Sequence, residues 1–164
     1  MDFSSPTGWL RTGRHQIMAT THAQIAATPS QVFAVLADPR SYADWVVGSD
    51  VIRDADPGWP SVSSRFHHRV GVWPVKVNDH TEVIEVDPPH RLVLHARARP
   101  LGTARVTLLL TPTAGATHVT MTETAGDALS RLAINPLTDP LVHRRNVESL
   151  RRLKRIAETG VIKP

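Results

Sequence analysis

The sequence predicts an α+β domain: one curved antiparallel sheet of about seven strands, two short helices after the first strand, and a long C-terminal helix. Three observations carry this. Six β-type runs (50–54, 63–70, 73–86, 91–99, 103–111, 117–124) follow one another with only turn clusters between them. A helix-start signal interrupts the pattern near Thr28, and residues 139–159 repeat their apolar positions with the period of a helix. Connections this short favour antiparallel neighbours, because a parallel crossover needs about a dozen residues or more.

Residues 1–16 mix Ser, Pro, Gly and Thr without a period and are expected to form a flexible extension, with Met18 as an alternative start and residues 17–164 as a single domain. Residues 17–27, rich in Thr, Ile and Ala, read as the opening strand. Thr28-Pro29-Ser30-Gln31 then supplies a capping hydroxyl, a proline at the first helical position and a glutamine three residues after the cap. The apolar cluster Val32, Phe33, Val35 and Leu36 follows, and Asp38-Pro39 ends that helix. A second helical turn is expected over residues 40–46, where Tyr42 and Trp45 are three apart and share a face. Turn clusters then separate the strands: Asp56-Pro57-Gly58, Asp87-Pro88-Pro89-His90, Pro100-Leu101-Gly102 and Pro112-Thr113-Ala114-Gly115.

The last element opens with Asp139 as cap and Pro140 at the first position, and it stops at Gly160. At about 100° per residue, Val142, His143, Asn146, Val147, Leu150, Leu153, Ile156 and Ala157 fall on one broad arc. Arg144, Arg145, Glu148, Arg151, Arg152, Arg155 and Glu158 fall on the other, which reads as a solvated face.

Composition limits the chemistry. The chain has 164 residues, 41% of them hydrophobic, enough for one core of ordinary size. It has no cysteine, which removes thiol nucleophiles, disulfides and cysteine-based zinc sites. No apolar run reaches the roughly 18 residues of a membrane span, and residues 1–30 hold no signal-peptide core, so a cytoplasmic protein is expected. The formal charge is +4, and six of the 19 Lys and Arg residues crowd into residues 144–155. No aromatic residue interleaves with those arginines, which argues against recognition of nucleic acid by base stacking. There is no phosphate-binding glycine loop, nucleophile elbow, H-E-x-x-H or paired acidic metal motif, so no cofactor and no metal are expected.

Local wording carries a resemblance. Ala27-Thr28-Pro29-Ser30-Gln31-Val32-Phe33 leads to Leu36-Ala37-Asp38-Pro39 and to Tyr42-x-x-Trp45. Val83-x-Glu85-Val86-Asp87-Pro88-Pro89, Gly115-x-Thr117-x-Val119-Thr120-Met121 and Ser149-Leu150-x-x-Leu153-Lys154 follow in order. Over residues 17 to 160 the chain resembles the helix-grip fold of the START-like SRPBCC superfamily, particularly its polyketide cyclase/dehydrase and lipid-transport branch. The resemblance implies a sheet curled around the long helix and, between them, an apolar cavity for a lipid, polyketide or other hydrophobic small molecule. It names no universal catalytic residue. One departure stands before the third strand: Val62-Ser63-Ser64 replaces the Val-Gly-Ser turn frequent in the family, at the expected cavity mouth near Trp59.

Candidate site residues follow from which faces look inward. Alternation places Leu94 and Ala96 with Leu92 and Ala98 on one face, and His95, Arg97 and Arg99 on the other. Phe66 and His68 share a face, as do Met121 and Glu123, although a bulge would exchange His67 for His68. The expected ligand-lining set is Phe66, His68, Trp73, Leu94, Ala96, Leu108, Met121, Glu123, His143, Asn146, Val147 and Leu150. Trp73 is placed at the cavity rim, where either packing or ligand contact accounts for it. Asp79 and His80 lie on a strand whose two faces are both partly apolar, so period leaves their directions open.

His143, His68 and Glu123 are the candidates for moving protons, with Asn146 holding a carbonyl. The bland alternatives are a core histidine satisfied by protein, an asparagine bonded to a neighbouring strand, and a Glu123 solvated or paired with an arginine. Three functional readings are therefore open. The leading one is binding of a hydrophobic small molecule; the others are a polyketide cyclase or dehydratase, and a module that binds an acidic macromolecule such as RNA through the basic helix face. Monomer and homodimer are equally compatible with the sequence.

Overall fold

The computed structural model describes residues 18–72, 75–97, 102–126 and 139–160. The proposed extension (1–16), Trp73, Ala98 and Arg99 lie outside them. Seven strands form one antiparallel sheet: β1 (Met18–Ile25), β2 (Ser49–Ala55), β3 (Arg65–Val72), β4 (Val75–Asp87), β5 (Arg91–Arg97), β6 (Thr103–Thr113) and β7 (Ala116–Ala125). Their order is β1-β7-β6-β5-β4-β3-β2, so only the β1 to β7 pairing joins distant parts of the chain.

Between β1 and β2 come α1 (Pro29–Leu36), a 3-10 turn (Pro39–Ser41) and α2 (Tyr42–Trp45). The expected capping box forms: Thr28 Oγ1 accepts from Gln31 N–H at 3.3 Å, and Gln31 Oε1 accepts from Thr28 N–H at 2.8 Å. That fixes the helix start and turns Val32, Phe33 and Leu36 into the core. Asp38 then caps the 3-10 turn by accepting from Arg40 N–H at 3.0 Å.

The sheet curls where its register slips. β2 is irregular twice, between Ser49 and Val51 and between Ile52 and Asp54, and β4 bulges at Ile84 between Val83 and Glu85. The third strand starts two residues later than expected because Ser63 takes a left-handed conformation, φ 68°, and closes a turn with Ser61 and Ser64. Val93 departs from simple alternation. It is buried on the outer face beside its cross-strand partner Glu85, on which Arg91 and Arg105 converge.

The C-terminal helix, α3 (Asp139–Thr159), packs along β1 and against α1 and α2. Asn146, Ser149, Leu150, Leu153 and Ile156 are its buried stripe. Side chains from its outer flank reach β1 and the residue that follows it: Lys154 Nζ donates to Gln24 O at 2.8 Å, and Glu158 accepts from Ala26 N–H at 2.7 Å. Gly160, at φ 69°, ends it through a bond to Ile156 O. The architecture is the helix-grip arrangement that the sequence predicts.

Candidate functional site

The inner face of the sheet can be followed row by row through the register. One row runs Phe66, Thr81, Ala96, Ala104, Ala125; the next runs Val83, Leu94, Val106, Glu123, Ala19. A third row places Ile52 opposite His68 and His68 opposite Asp79. Leu92, Leu94, Leu108, Met121 and Leu150 are buried around these rows. Ala96, Ala104 and Val106 stay partly exposed although they point inward on central strands. Small side chains there and a helix lying along β1 leave the inner face partly open over β5 and β6.

Two polar clusters interrupt this apolar floor. At β7, Glu123 is buried, and its Oε2 accepts from Asn146 Nδ2 at 3.0 Å and from the Arg145 guanidinium. Asn146 Oδ1 in turn accepts from Arg145 Nε at 3.2 Å. Glu123 is thus an arginine-paired carboxylate, and Asn146 is bonded to the strand beneath it.

At β3 and β4, His68 Nε2 lies 3.0 Å from Thr81 Oγ1, and the Asp79 side chain is fully buried, with Oδ1 accepting from His80 N–H at 3.0 Å. Burial holds the His68 imidazole below its ordinary range, against the opposing pull of the Asp79 carboxylate. His68 is therefore a neutral ring at neutral pH. The structure resolves the direction of the Asp79–His80 pair: Asp79 faces in, while His80 pairs with His67 on the outer face, ring centroids 6.0 Å apart. Burial lowers the affinity of His80 for a proton too, with help from Arg97 and Arg65.

An aromatic wall joins α2 to the third strand. Ring centroids lie 5.0 Å apart for Tyr42 and Trp45, 4.6 Å for Tyr42 and Phe66, 4.8 Å for Trp59 and Phe66, and 5.3 Å for Phe66 and His68. Tyr42 and Trp59 both donate to Leu36 O, at 3.1 and 3.3 Å, so the wall is fastened to the end of α1.

Of the expected lining residues, Phe66, His68, Leu94, Leu108, Met121, Glu123, Asn146 and Leu150 are buried and Ala96 is partly buried. His143 and Val147 correct the helix reading: His143 is exposed, and Val147 is 45% exposed. Among the described residues the buried positions of the helix begin at Asn146 and form a narrower stripe than the apolar arc. Arg145, assigned to the solvated arc, instead reaches back to Glu123. Thr81 carries no signal in the sequence, because a threonine on a strand says nothing of its partner, whereas Asp79, whose direction period leaves open, is buried.

A separate open groove of about 200 Å³ lies between α1 and the end of α3, lined by Ala34, Val35, Asp38, Ser41, Ile156 and Gly160. Both oxygens of its one carboxylate, Asp38, are taken by Arg40. No group of three or more His, Asp or Glu residues that could hold a metal ion is present among the described residues. No helix among them is long and apolar enough to cross a membrane.

Comparison with solved structures places this geometry. Protein CV1439 from Chromobacterium violaceum is 17% identical, with a TM-score of 0.65, covering 86% of this chain and 97% of that one. A protein from Arthrobacter aurescens is 15% identical, with a TM-score of 0.69, covering 87% and 86%. DynU16, from the dynemicin biosynthetic locus, is 20% identical, with a TM-score of 0.61, covering 87% of this chain and 48% of that one. These likenesses establish a shared fold. No curated protein matches the sequence. The family profile described as polyketide cyclase / dehydrase and lipid transport matches residues 16–158, and with its motifs and its helix-grip sheet in register the chain belongs to that family.

Proposed function

We propose that the chain binds a hydrophobic small molecule between the inner face of the sheet and α3. The observation that carries this reading is the partly open strip at Ala96, Ala104 and Val106, set within buried Leu92, Leu94, Leu108 and Met121. An apolar floor with a few fixed polar groups at its margins is the ordinary make-up of a small-molecule site. The family's description includes lipid transport, and DynU16 comes from a biosynthetic locus, which fits a ligand of that class.

The cyclase reading finds less support. His143 is exposed, and His68 and Glu123 stand on strands four positions apart in the sheet. Glu123 is also engaged by Asn146 and Arg145. The macromolecular reading is weakened by pairing within the helix: Glu148 holds Arg151 and Arg152, and Glu158 lies 3.6 Å from Lys154.

Native mass spectrometry of the protein purified from its own host, followed by extraction and identification of bound compounds, tests the proposal. A retained apolar compound supports it. Protein that is empty as isolated and binds no naphthalene-sized probe at sub-millimolar concentration overturns it.

A further inference from the structure

Glu123 stands directly beside the open strip. Its neighbours on the inner face of the sheet are Ala19 on β1, Met121 and Ala125 along β7, and Val106 on β6. Ala19, Met121 and Ala125 are buried, whereas Val106 belongs to the strip that stays partly open. Residues directly opposite each other in an antiparallel ladder hold their Cβ atoms about 5 Å apart, so a molecule resting on Val106 lies within reach of the Glu123 carboxylate. From the helix side, Asn146 Nδ2 and the Arg145 guanidinium both bind the same oxygen, Oε2. Oε1 accepts from no described residue, yet it is not one of the side-chain atoms sealed from water without a partner. The carboxylate is thus fixed through one oxygen and keeps the other for a further donor.

We propose that Glu123 Oε1 is the atom that selects the ligand: an apolar molecule lying on Ala96, Ala104 and Val106 carries a hydroxyl or N–H that donates to it. This rests on the small-molecule reading above and adds which functional group the ligand bears and which atom receives it. A carboxylate paired with a guanidinium accepts and does not donate. An ether oxygen, also an acceptor only, meets Oε1 lone pair to lone pair. A bare hydrocarbon strips water from Oε1 and returns no bond, which leaves a polar atom unpaired at the edge of the core. Arg145 already opposes the charge of Glu123, so the selection rests on donation and a neutral hydroxyl meets it. Glu123 is in this role a specificity-determining residue and moves no proton.

The test is calorimetric titration of the full chain at neutral pH with three probes on one scaffold: 1-methylnaphthalene, 1-naphthol and 1-methoxynaphthalene. The hydroxyl and methyl compounds have nearly the same shape, and 1-naphthol is expected to bind about tenfold or more tightly, because a site built to pair a hydroxyl discriminates against its absence. The methyl ether is expected to bind more weakly than 1-naphthol. In Glu123→Gln the amide oxygen stays on Asn146 and Arg145, so the amide nitrogen takes the place of Oε1 and the atom facing the ligand changes from acceptor to donor. The preference for 1-naphthol over its methyl ether is then expected to narrow about threefold or more, which a merely bulky methyl group would not produce. A thermal melt checks that Glu123→Gln folds, and the wild-type ratios decide the matter if it does not. Equal affinity for 1-naphthol and 1-methylnaphthalene overturns the selection by Glu123 while leaving the small-molecule reading intact. So does an ether that binds as tightly as 1-naphthol, or a naphthol preference unchanged in folded Glu123→Gln. Failure of all three probes to bind overturns both.

Discussion

Asn146 Nδ2 donates to Glu123 Oε2 across 3.0 Å, tying the first half of α3 to β7, with Arg145 closing on the same oxygen from the solvent side. The two partners differ in worth. Asn146 is 2% exposed, whereas the Arg145 side chain is 42% exposed and its attraction is screened by water. Glu123→Leu leaves the Asn146 amide buried without an acceptor and is expected to cost about 1–3 kcal/mol. Arg145→Ala is expected to cost less than about 1 kcal/mol. Urea unfolding of the two variants checks the order, and a larger loss for Arg145→Ala would contradict it.

The buried neutral His68 makes stability depend on pH. Its folded-state proton affinity lies below the ordinary 6.5, so as pH falls the unfolded chain takes up the proton first. The resulting stability is fully present above pH 6.5 and is lost as pH falls through the depressed folded value. His80 is shifted in the same direction, so the slope belongs to both. Melting temperature is expected to drop between pH 7.5 and pH 5, and to drop less in His68→Gln.

Ser63 holds φ 68°, a conformation that costs a residue with a Cβ about 1–2 kcal/mol and that glycine adopts freely. Glycine loses more chain entropy on folding, which offsets about half of that gain. Ser63→Gly, the residue frequent in the family's turn at this place, is therefore expected to stabilise the protein by about 0.5–1 kcal/mol. A lower urea midpoint for Ser63→Gly would show that the Ser63 side chain contributes something its backbone conformation does not reveal.

On α3, Glu148 and Glu158 oppose part of the charge of the six Lys and Arg residues over 144–155 and leave a modest positive excess for an RNA. Binding of a uridine homopolymer, followed by fluorescence anisotropy, is expected to be undetectable at about 200 mM salt. Any residual binding should fall with salt by a shallow slope, since a surface that neutralises several phosphates loses affinity steeply. Tight binding with a steep slope would restore the macromolecular reading.

How far the sequence reached depended on how local each signal is. The capping box at Thr28 and Gln31, the stop at Gly160 and the alternation through Leu92, Leu94 and Ala96 are written in neighbouring residues, and each appears where expected. Glu123 and His68 point inward as their strands' period implies. His143 and Val147 do not, because a helical wheel orders residues by angle but says nothing of how wide a neighbour covers them. Nor does any pattern in residues 42–49 reveal that the Trp45 N–H would be buried with no partner among the described residues.

The sequence by itself determined the strand and helix order, the turns between them and the class of fold, since these follow from period, capping and turn chemistry acting over a few residues. Only the tertiary structure decided which polar groups meet. Asp79 faces His68 because of the β3 to β4 register, and Arg145 reaches Glu123 because the end of β7 runs beneath α3. Burial and pairing belong to what packs against a face, and that is set by the whole sheet closing on its helix.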